Sequence, residues 1–177
     1  MSKKILAAIL GLSLLAVPLA AQSKETESDE VILADAVRTI QHHIYFTVFD
    51  NVEIAVKDGV VTLAGQVTSP HKKNSFEKSI LKDVEGVREV VNRIETLPVS
   101  SADSRIRYIV ARNIYRDSRM LRYAIENFPR SIHVIVKNGR ITLEGRVANR
   151  MDSRIAEIRA REVFGVISVK NNLQIDS

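Results

Sequence analysis

Four histidines and a few close pairs of acidic residues are the side chains in this 177-residue sequence that could support metal binding or acid–base chemistry. His42 and His43 are adjacent, and neighbouring residues of a helix point about 100° apart, so the two cannot easily share one metal ion. His71 and His133 fall in different predicted elements, and no cluster of acidic residues completes a ligand set around them. The sequence therefore predicts no metal site.

Motifs for catalysis are also missing from the sequence. There is no cysteine, which excludes disulfides, thiol catalysis, Cys-ligated zinc, iron–sulfur clusters and a lipidated N-terminal cysteine. Neither a Gly-x-Ser-x-Gly nucleophile elbow nor a Gly-x-x-x-x-Gly-Lys phosphate loop occurs. The close carboxylates Asp50 and Glu53, and Asp83 and Glu85, lie near predicted element ends and are interpreted as surface charge. We expect no enzymatic activity and no cofactor.

The N-terminal segment has the features of a secretory signal peptide, predicted to span residues 1–21. Two lysines form a positive start, an apolar run extends from Ile5 to Leu19, and small residues end the segment. An uncleaved membrane anchor is the alternative, but the run is shorter than the ~20 residues of a membrane span and contains a serine and a proline. We expect a periplasmic or secreted protein whose polar tail, 22–29, precedes the folded part.

An internal repeat organises the remainder of the chain. Residues 52–67 align with 132–147 at an offset of 80, and residues 86–94 align with 165–173 at an offset of 79. Each copy has the periodicity of a helix, two strands, a second helix and a third strand. The sequence therefore predicts an α+β fold.

This α+β fold would consist of two tandem small α-β-β-α-β domains, each a three-stranded sheet with two helices on one face. We call residues 30–97 the first module and residues 103–176 the second module, with 98–102 as a short linker. Apolar residues at helical spacing predict the buried helix faces. These residues are Leu33, Val37, Ile40 and Ile44; Phe76, Ile80 and Val84; Ile106, Val110 and Ile114; and Met151, Ile155, Ile158 and Val163.

Turn and capping residues recur at equivalent places in the two copies. Asp-Gly in the first copy and Asn-Gly in the second tolerate positive φ, which makes each dipeptide a strong signal for a two-residue hairpin turn. A later glycine stands where glycine commonly ends a helix, and Asp103 or Ser104 could cap the helix that follows the linker. The predicted structural set is Asp58, Gly59, Gly65, Gly86, Asn138, Gly139, Gly145 and Gly165.

This repeated unit resembles the BON domain, a family found in tandem in exported bacterial proteins. The resemblance rests on a hydrophobic-x-Val-Lys-Asp/Asn-Gly-x-Val/Ile-Thr-Leu-x-Gly-x-Val stretch and a later Gly-Val-x-x-Val-x-Asn. These stretches are 54–67 with 86–94 in one copy, and 134–147 with 165–173 in the other. The resemblance implies phospholipid binding and support of envelope integrity, for instance under osmotic stress, without any chemistry.

The sequence departs from that family pattern in two ways. Some tandem members are lipoproteins, and this chain lacks the cysteine for such an anchor. The second copy is also longer at its start, because about seven extra residues lie within 120–129. The lipid-contact geometry of other members is therefore not carried over to this chain.

Positive charge is concentrated in the second module. Residues 30–97 contain 8 basic and 10 acidic side chains, whereas residues 103–176 contain 15 basic and 8 acidic, a net +7. Thirteen of those fifteen are arginines, whose planar guanidinium matches phosphate oxygens bidentately. If one continuous helix carries them, Arg105, Arg112, Arg116 and Arg119 fall within about 60° of one another around its axis. The predicted lipid-binding set is Arg105, Arg112, Arg116, Arg119, Arg122, Tyr123, Arg150 and Arg154.

Several functions remain open at this point. An exported basic protein meets anionic lipid head groups rather than nucleic acid, and with no tryptophan and only nine aromatic residues a nucleic-acid stacking platform is disfavoured. The leading hypothesis is that the partner is an anionic phospholipid membrane surface. Additional apolar contacts would come from Met120, Leu121, Tyr123, Ile125 and Phe128. A solvated charged face is the plain alternative. A protein–protein adaptor or chaperone-like factor for other envelope proteins is the second functional hypothesis. A soluble domain within a secretion or mechanosensitive assembly is the third, less favoured hypothesis.

Overall fold

The computed structural model describes residues 20–125 and 131–176, so nearly all of the predicted signal peptide lies outside the described residues. The first module contains α1 (Ala20–Gln41), β1 (Asn51–Lys57), β2 (Val60–Val67), α2 (Pro70–Asp83), β3 (Glu89–Asn92) and β4 (Glu95–Thr96). The second contains α3 (Ser101–Arg116), α4 (Leu121–Ile125), β5 (Ile132–Lys137), β6 (Arg140–Val147), α5 (Arg150–Arg161), β7 (Ser168–Asn171) and β8 (Gln174–Ile175). The predicted α+β class of two tandem modules is confirmed. Residues 22–29, predicted as a polar tail, lie in α1.

Each module is built around its second strand. β2 pairs antiparallel with β1 and parallel with β3 and β4, while β6 pairs in the same way with β5, β7 and β8. The helix between the second and third strands lets the chain cross over and return in parallel. The third predicted strand is divided into two short segments in each module, so each sheet has four segments rather than three continuous strands.

An asparagine side chain divides that third strand. The Asn92 amide donates to Lys73 O (3.0 Å) and to Glu77 Oε2 (2.9 Å) on α2, and its oxygen accepts the N–H of Ile94. Asn171 makes the corresponding bonds in the second module, donating to Ser153 O at 3.1 Å. The asparagine that ends the Gly-Val-x-x-Val-x-Asn motif thus ties the strand to the crossover helix.

The hairpin turns have the backbone that their dipeptides favour. Asp58 and Gly59 have φ of 51° and 74°, and Asn138 and Gly139 have φ of 52° and 71°. Positive φ at both central positions gives a turn whose twist matches that of the flanking strands. Inside the second strand, a Cβ at Gly145 would lie 1.9 Å from the carbonyl oxygen of Ser131, so only glycine fits there.

An acidic residue on the first helix of each module holds the hairpin turn. Asp103 accepts the N–H groups of Asn138 and Gly139, both at 2.8 Å, and Asp29 accepts those of Asp58 and Gly59 at 2.8 and 2.9 Å. Asp103 was expected as a possible helix cap, but Ser100 is the N-cap and accepts the Asp103 N–H. The carboxylate is therefore free to bond to the turn.

The predicted apolar stripes are correct on two helices and shifted on the others. Phe76, Ile80 and Val84 are buried, as are Ile106, Val110 and Ile114. On α1 the buried residues are Ile32, Ala36 and Ile40, whereas Ile44 lies beyond the helix end and is 83% exposed. On α5, which packs beside α3, Met151 and Ile158 are exposed, whereas Ala156 and Ala160 are buried in the second core. Small residues allow that close helix approach, which a search for large apolar residues misses.

The two modules touch through the loop that precedes β1. Val134 on the edge strand β5 donates its N–H to Val48 O at 2.7 Å, and Val48 and Phe49 pack against the second core. The rings of Phe46 and His133 lie 5.3 Å apart, centroid to centroid. The first module therefore covers part of the open edge of the second sheet.

Candidate functional site

The solvent face of α3 carries three arginines and one tyrosine in a single row. The opposite face of this helix packs into the second core through Ile106, Val110 and Ile114. The residues left outside are Arg105, Tyr108, Arg112 and Arg116, which we call the α3 strip; all four are exposed. Eleven residues of helix separate its ends, a length of about 16 Å at 1.5 Å per residue. Its members project in nearly one direction, so a flat surface could contact all of them together.

The arginines of the α3 strip are available to an external anion. Among the described residues, Arg105, Arg112 and Arg116 form no ion pair with a carboxylate. Other arginines of the second module are engaged: Arg159 pairs with Asp117 at 2.9 Å, and Arg161 pairs with Glu157 at 2.7 Å. Three of the unpaired guanidinium groups of this module thus lie in one row on α3.

Arg119 does not continue the strip, contrary to the sequence prediction. α3 ends at Arg116, and the Asp117 carboxylate accepts the N–H of Arg119 in the turn that follows. That bond, together with the hydrogen bond from Arg159, lowers the pKa of Asp117. Arg119 is exposed, but the turn removes it from the helical row because the 100° rule applies only while the helix continues.

Arg122 and Tyr123 have a different role from the predicted lipid contact. Tyr123 is only 4% exposed, and its hydroxyl donates to Asp152 Oδ2 at 2.5 Å and accepts the N–H of Ala148 at 2.8 Å. Burial, followed by the bond to Asp152, raises the pKa of Tyr123. Arg122 forms an ion pair with the same carboxylate. This burial contradicts a surface role for Tyr123, because Tyr123 and Arg122 fasten α4 to the start of α5.

The first module has an ion pair of opposite polarity at the equivalent place. Lys72, which aligns with Asp152, reaches back to Asp50 Oδ2 at 2.6 Å. Asp50 is 0% exposed and also accepts bonds from Thr47 and Thr68, so its interpretation as ordinary surface charge is wrong. Burial of a carboxylate requires such partners. Both modules fasten the start of their crossover helix electrostatically, but with the charges exchanged.

Two further predicted arginines lie on α5. Arg150 and Arg154 are exposed, and no carboxylate pairs with either of them in the described part of the chain. α5 packs beside α3, but one turn beyond Arg154 the Glu157 carboxylate neutralises the charge of Arg161. α5 therefore presents a less uniform positive surface than α3.

The remaining candidates from the sequence occupy structural places. Gly86 and Gly165 follow α2 and α5 at φ of 77° and 91°, and Gly65 has a φ of 105° opposite the start of β1. Met120 is buried and Leu121 is half-exposed, while the side chain of Ile125 and all of Phe128 lie outside the described residues. Within the described ranges, no group of three acidic or histidine side chains could hold a metal ion.

Tyr108 was missed by reasoning from the sequence. Its side chain is 65% exposed within the α3 strip. The signal was present, because Tyr108 falls about 60° from Arg105 and about 40° from Arg112 on a helical wheel. A search for basic residues alone passes over it. An exposed tyrosine flanked by arginines is typical of surfaces where one part of the ring is in an apolar phase and the hydroxyl is in water.

These features define the class of protein as a tandem repeat of one small α+β module, with a net positive charge on the second copy. The family model of the BON domain matches residues 36–98 and 119–177. The chain belongs to the BON domain family. BON domains are known for phospholipid and envelope binding, and proteins that carry them are typically periplasmic. α3 lies between the two matched ranges.

Other comparisons give distant similarity. A solved structure described as the C-terminal domain of CdsD, the structural protein of the type III secretion system of Chlamydia trachomatis, is 14% identical, with a TM-score of 0.34 over 84% of this chain and 67% of that one. A second structure of CdsD from the same organism is 12% identical, with a TM-score of 0.33 over 82% of this chain and 92% of that one. No curated protein matches the sequence. Within residues 20–125 and 131–176, every helix is too short or too polar to cross a bilayer.

Proposed function

We propose that this chain is a non-catalytic periplasmic protein that binds anionic phospholipid surfaces through its second module and so supports envelope integrity. The α3 strip is the observation that carries this proposal. Three unpaired arginines and an exposed tyrosine share one face of a helix whose other face is fixed in a core. Family membership supports phospholipid as the class of ligand, and the exposed charges of the strip support α3 as the contact surface.

The expected interaction is weak and sensitive to salt. A basic residue near an anionic leaflet contributes about 1 kcal/mol, so the three strip arginines contribute about 3 kcal/mol, or roughly a hundredfold enrichment at the surface. The Debye length falls from about 10 Å at 0.1 M salt to about 3 Å at 1 M. Docking that depends on these charges should therefore be strong at low ionic strength and largely lost at high ionic strength.

Co-sedimentation with vesicles tests the proposal. The mature protein should pellet with phosphatidylglycerol vesicles at ~50 mM salt, much less at ~500 mM, and little with phosphatidylcholine vesicles. Replacing Arg105, Arg112 and Arg116 by glutamine should abolish most of the low-salt binding. Replacing Lys78 and Lys82 by glutamine, on the exposed face of α2 in the first module, is the control and should leave binding nearly unchanged. Equal recovery with neutral vesicles, or full binding by the arginine variant, would refute the proposal.

An adaptor for envelope proteins is the alternative function, and the outer face of the first sheet is the surface that would serve it. Glu53, Ala55 and Lys57 of the edge strand β1 are exposed there. Charged residues on an edge strand usually discourage pairing with another chain, which makes this surface less suitable than the α3 strip. Crosslinking in cells distinguishes the two functions. An adaptor should give a crosslinked product with one defined protein at near-equal stoichiometry, whereas a lipid-binding protein should not.

A further inference from the structure

Two large apolar side chains are exposed in the loop that joins α5 to β7. Phe164 is 91% exposed and Ile167 is 67% exposed, and we call this pair the apolar tip. Between them, Val166 packs against the second core. Leaving large apolar side chains in water is unfavourable, so a cluster of them on a surface marks a place where another phase or molecule binds.

The loop holds the apolar tip in a fixed position. Ile167 donates its N–H to Gly139 O in the hairpin turn at 2.8 Å, and Val166 donates to Val163 O at 3.2 Å. The side chain of Ile167 also lies against Gly139, where an added Cβ would be 3.1 Å from its Cδ1. The tip is therefore organised before any ligand binds, which reduces the entropy lost on binding.

The first module shows that the fold does not require apolar residues at these places. With the offset of 79, Glu85 aligns with Phe164 and Arg88 aligns with Ile167. Arg88 donates its N–H to Gly59 O at 2.8 Å, the same backbone bond that Ile167 makes. The loop backbone is thus maintained in both copies, while the outward side chains are charged in one copy and apolar in the other.

The backbones of two unpaired arginines lie near the loop that carries the apolar tip. Arg140 is in register with Ser168, the residue that follows Ile167, and Arg105 precedes Ile106, whose Cδ1 lies 3.6 Å from the Cβ position of Gly165. Neither arginine is ion-paired within the described residues. Arg105 also begins the α3 strip, so the strip and the tip are neighbours at one end of the second module.

An exposed aromatic and aliphatic pair beside free guanidinium groups fits the boundary between phosphate head groups and acyl chains. There, apolar side chains enter the hydrocarbon edge while arginines remain at the phosphates. We propose that Phe164 and Ile167 insert into the interfacial region of an anionic bilayer, anchoring the second module after the α3 strip has attracted it. This inference rests on the proposed function and adds the element that enters the membrane.

A tryptophan reporter tests the insertion, because the chain has no tryptophan of its own. Phe164→Trp places a fluorophore in the tip, and Glu85→Trp places one at the equivalent position of the first module as the matched control. With phosphatidylglycerol vesicles at low salt, the fluorescence emission of Phe164→Trp should shift to shorter wavelength. Lipids brominated near the top of the acyl chain should quench that emission. Glu85→Trp should show neither effect, although the protein still pellets.

The outcomes separate this inference from the proposed function. If Phe164→Trp pellets with vesicles but shows neither shift nor quenching, insertion is refuted and electrostatic docking stands. If neither the native chain nor any variant binds anionic vesicles, both proposals fail. A blue shift that needs no lipid and grows with protein concentration would show that a second copy covers the tip, which also overturns the inference.

Retention at high salt gives a second readout. Insertion of apolar side chains does not depend on charge, so a fraction of the native protein should stay bound at ~500 mM salt. The double variant Phe164→Ser, Ile167→Ser should lower that residual binding by about tenfold, while most of the low-salt attraction by the α3 strip remains. Identical residual binding by native and variant chains, each with native circular dichroism, would contradict insertion.

Discussion

Removing the carboxylate of Asp103 should destabilise the second module far more than the same change at Asp29 in the first. Asp103 is 2% exposed and accepts two backbone N–H groups of the hairpin turn, both at 2.8 Å. Asp29 makes the same two bonds at 2.8 and 2.9 Å, but in a more solvent-exposed place. The comparison therefore keeps the chemistry constant and changes only the burial.

The magnitude follows from those two bonds. A hydrogen bond to a charged group contributes about 1.5–3 kcal/mol, and a buried N–H left without a partner costs about as much again. Water can reach part of the opened turn, so we expect Asp103→Ala to lower the free energy of unfolding by about 3 kcal/mol. Asp29→Ala should lower it by about 1 kcal/mol, because water replaces the carboxylate more easily at an exposed site. Asp103→Asn keeps one acceptor oxygen and should fall between.

Urea unfolding of the full chain, followed by far-ultraviolet circular dichroism, measures these differences. The Asp103→Ala transition should move to lower urea, with the second module unfolding first. If Asp103→Ala changes the stability by less than ~0.5 kcal/mol, or if Asp29→Ala is the more damaging of the two, then the carboxylate–turn contact does not stabilise the fold as argued.

Three other substitutions test separate parts of the structure. Gly145→Ala forces a Cβ against Ser131 O at positive φ, so it should lower the free energy of unfolding in urea by about 2–4 kcal/mol. An unchanged free energy of unfolding would contradict the close approach of the two strands at this position. Tyr123→Phe should cost about 1–2 kcal/mol yet leave vesicle binding unchanged, whereas lost binding with native stability would restore Tyr123 as a lipid contact. Burial lowers the pKa of His133, so the unfolded chain binds more protons near pH 6 and stability should fall from pH 7 to pH 5. Burial also lowers the pKa of His43, so His133→Gln should reduce that fall without removing it, and an unchanged pH profile would contradict a contribution from His133.

Local chemistry explains what could be predicted from the sequence. The Asp58-Gly59 and Asn138-Gly139 turns depend on backbone preferences of two adjacent residues, and the buried stripe of α2 depends on spacing within one helix. Both are visible without any knowledge of what packs against them. The duplication strengthened each prediction, because the same signal appeared twice in one chain.

Contacts between distant residues were not visible in the same way. Asp103 bonds to a turn 35 and 36 residues away, and Tyr123 meets a carboxylate 29 residues away. Tyr123 lies among arginines in the sequence, so composition suggested a surface role that its burial contradicts. The exposure of Phe164 escaped notice because a single apolar residue after a helix resembles part of a core. Comparing the two copies position by position would have drawn attention to it, since Glu85 occupies the equivalent place.

The divergence of the two copies explains why only the second is assigned to the membrane. Both have the same strand pairing, hairpin turn and asparagine tie, but they differ in the outward residues of the first helix and of the last loop. Residues 30–97 have a small net negative charge and residues 103–176 a net +7. Under the proposed function, an anionic surface would attract the second module and orient the molecule, with the first module towards the surrounding solution.

Paramagnetic relaxation of backbone amides by a head-group-labelled lipid in phosphatidylglycerol nanodiscs tests the central claim most directly, because it reports which residues approach the bilayer. The account predicts the strongest broadening along the exposed face of α3 from Arg105 to Arg116 and in the loop around Phe164, with α2 little affected. Broadening that is strongest on α2, or equal in the two modules, would contradict the assignment of the membrane-binding surface to the second module.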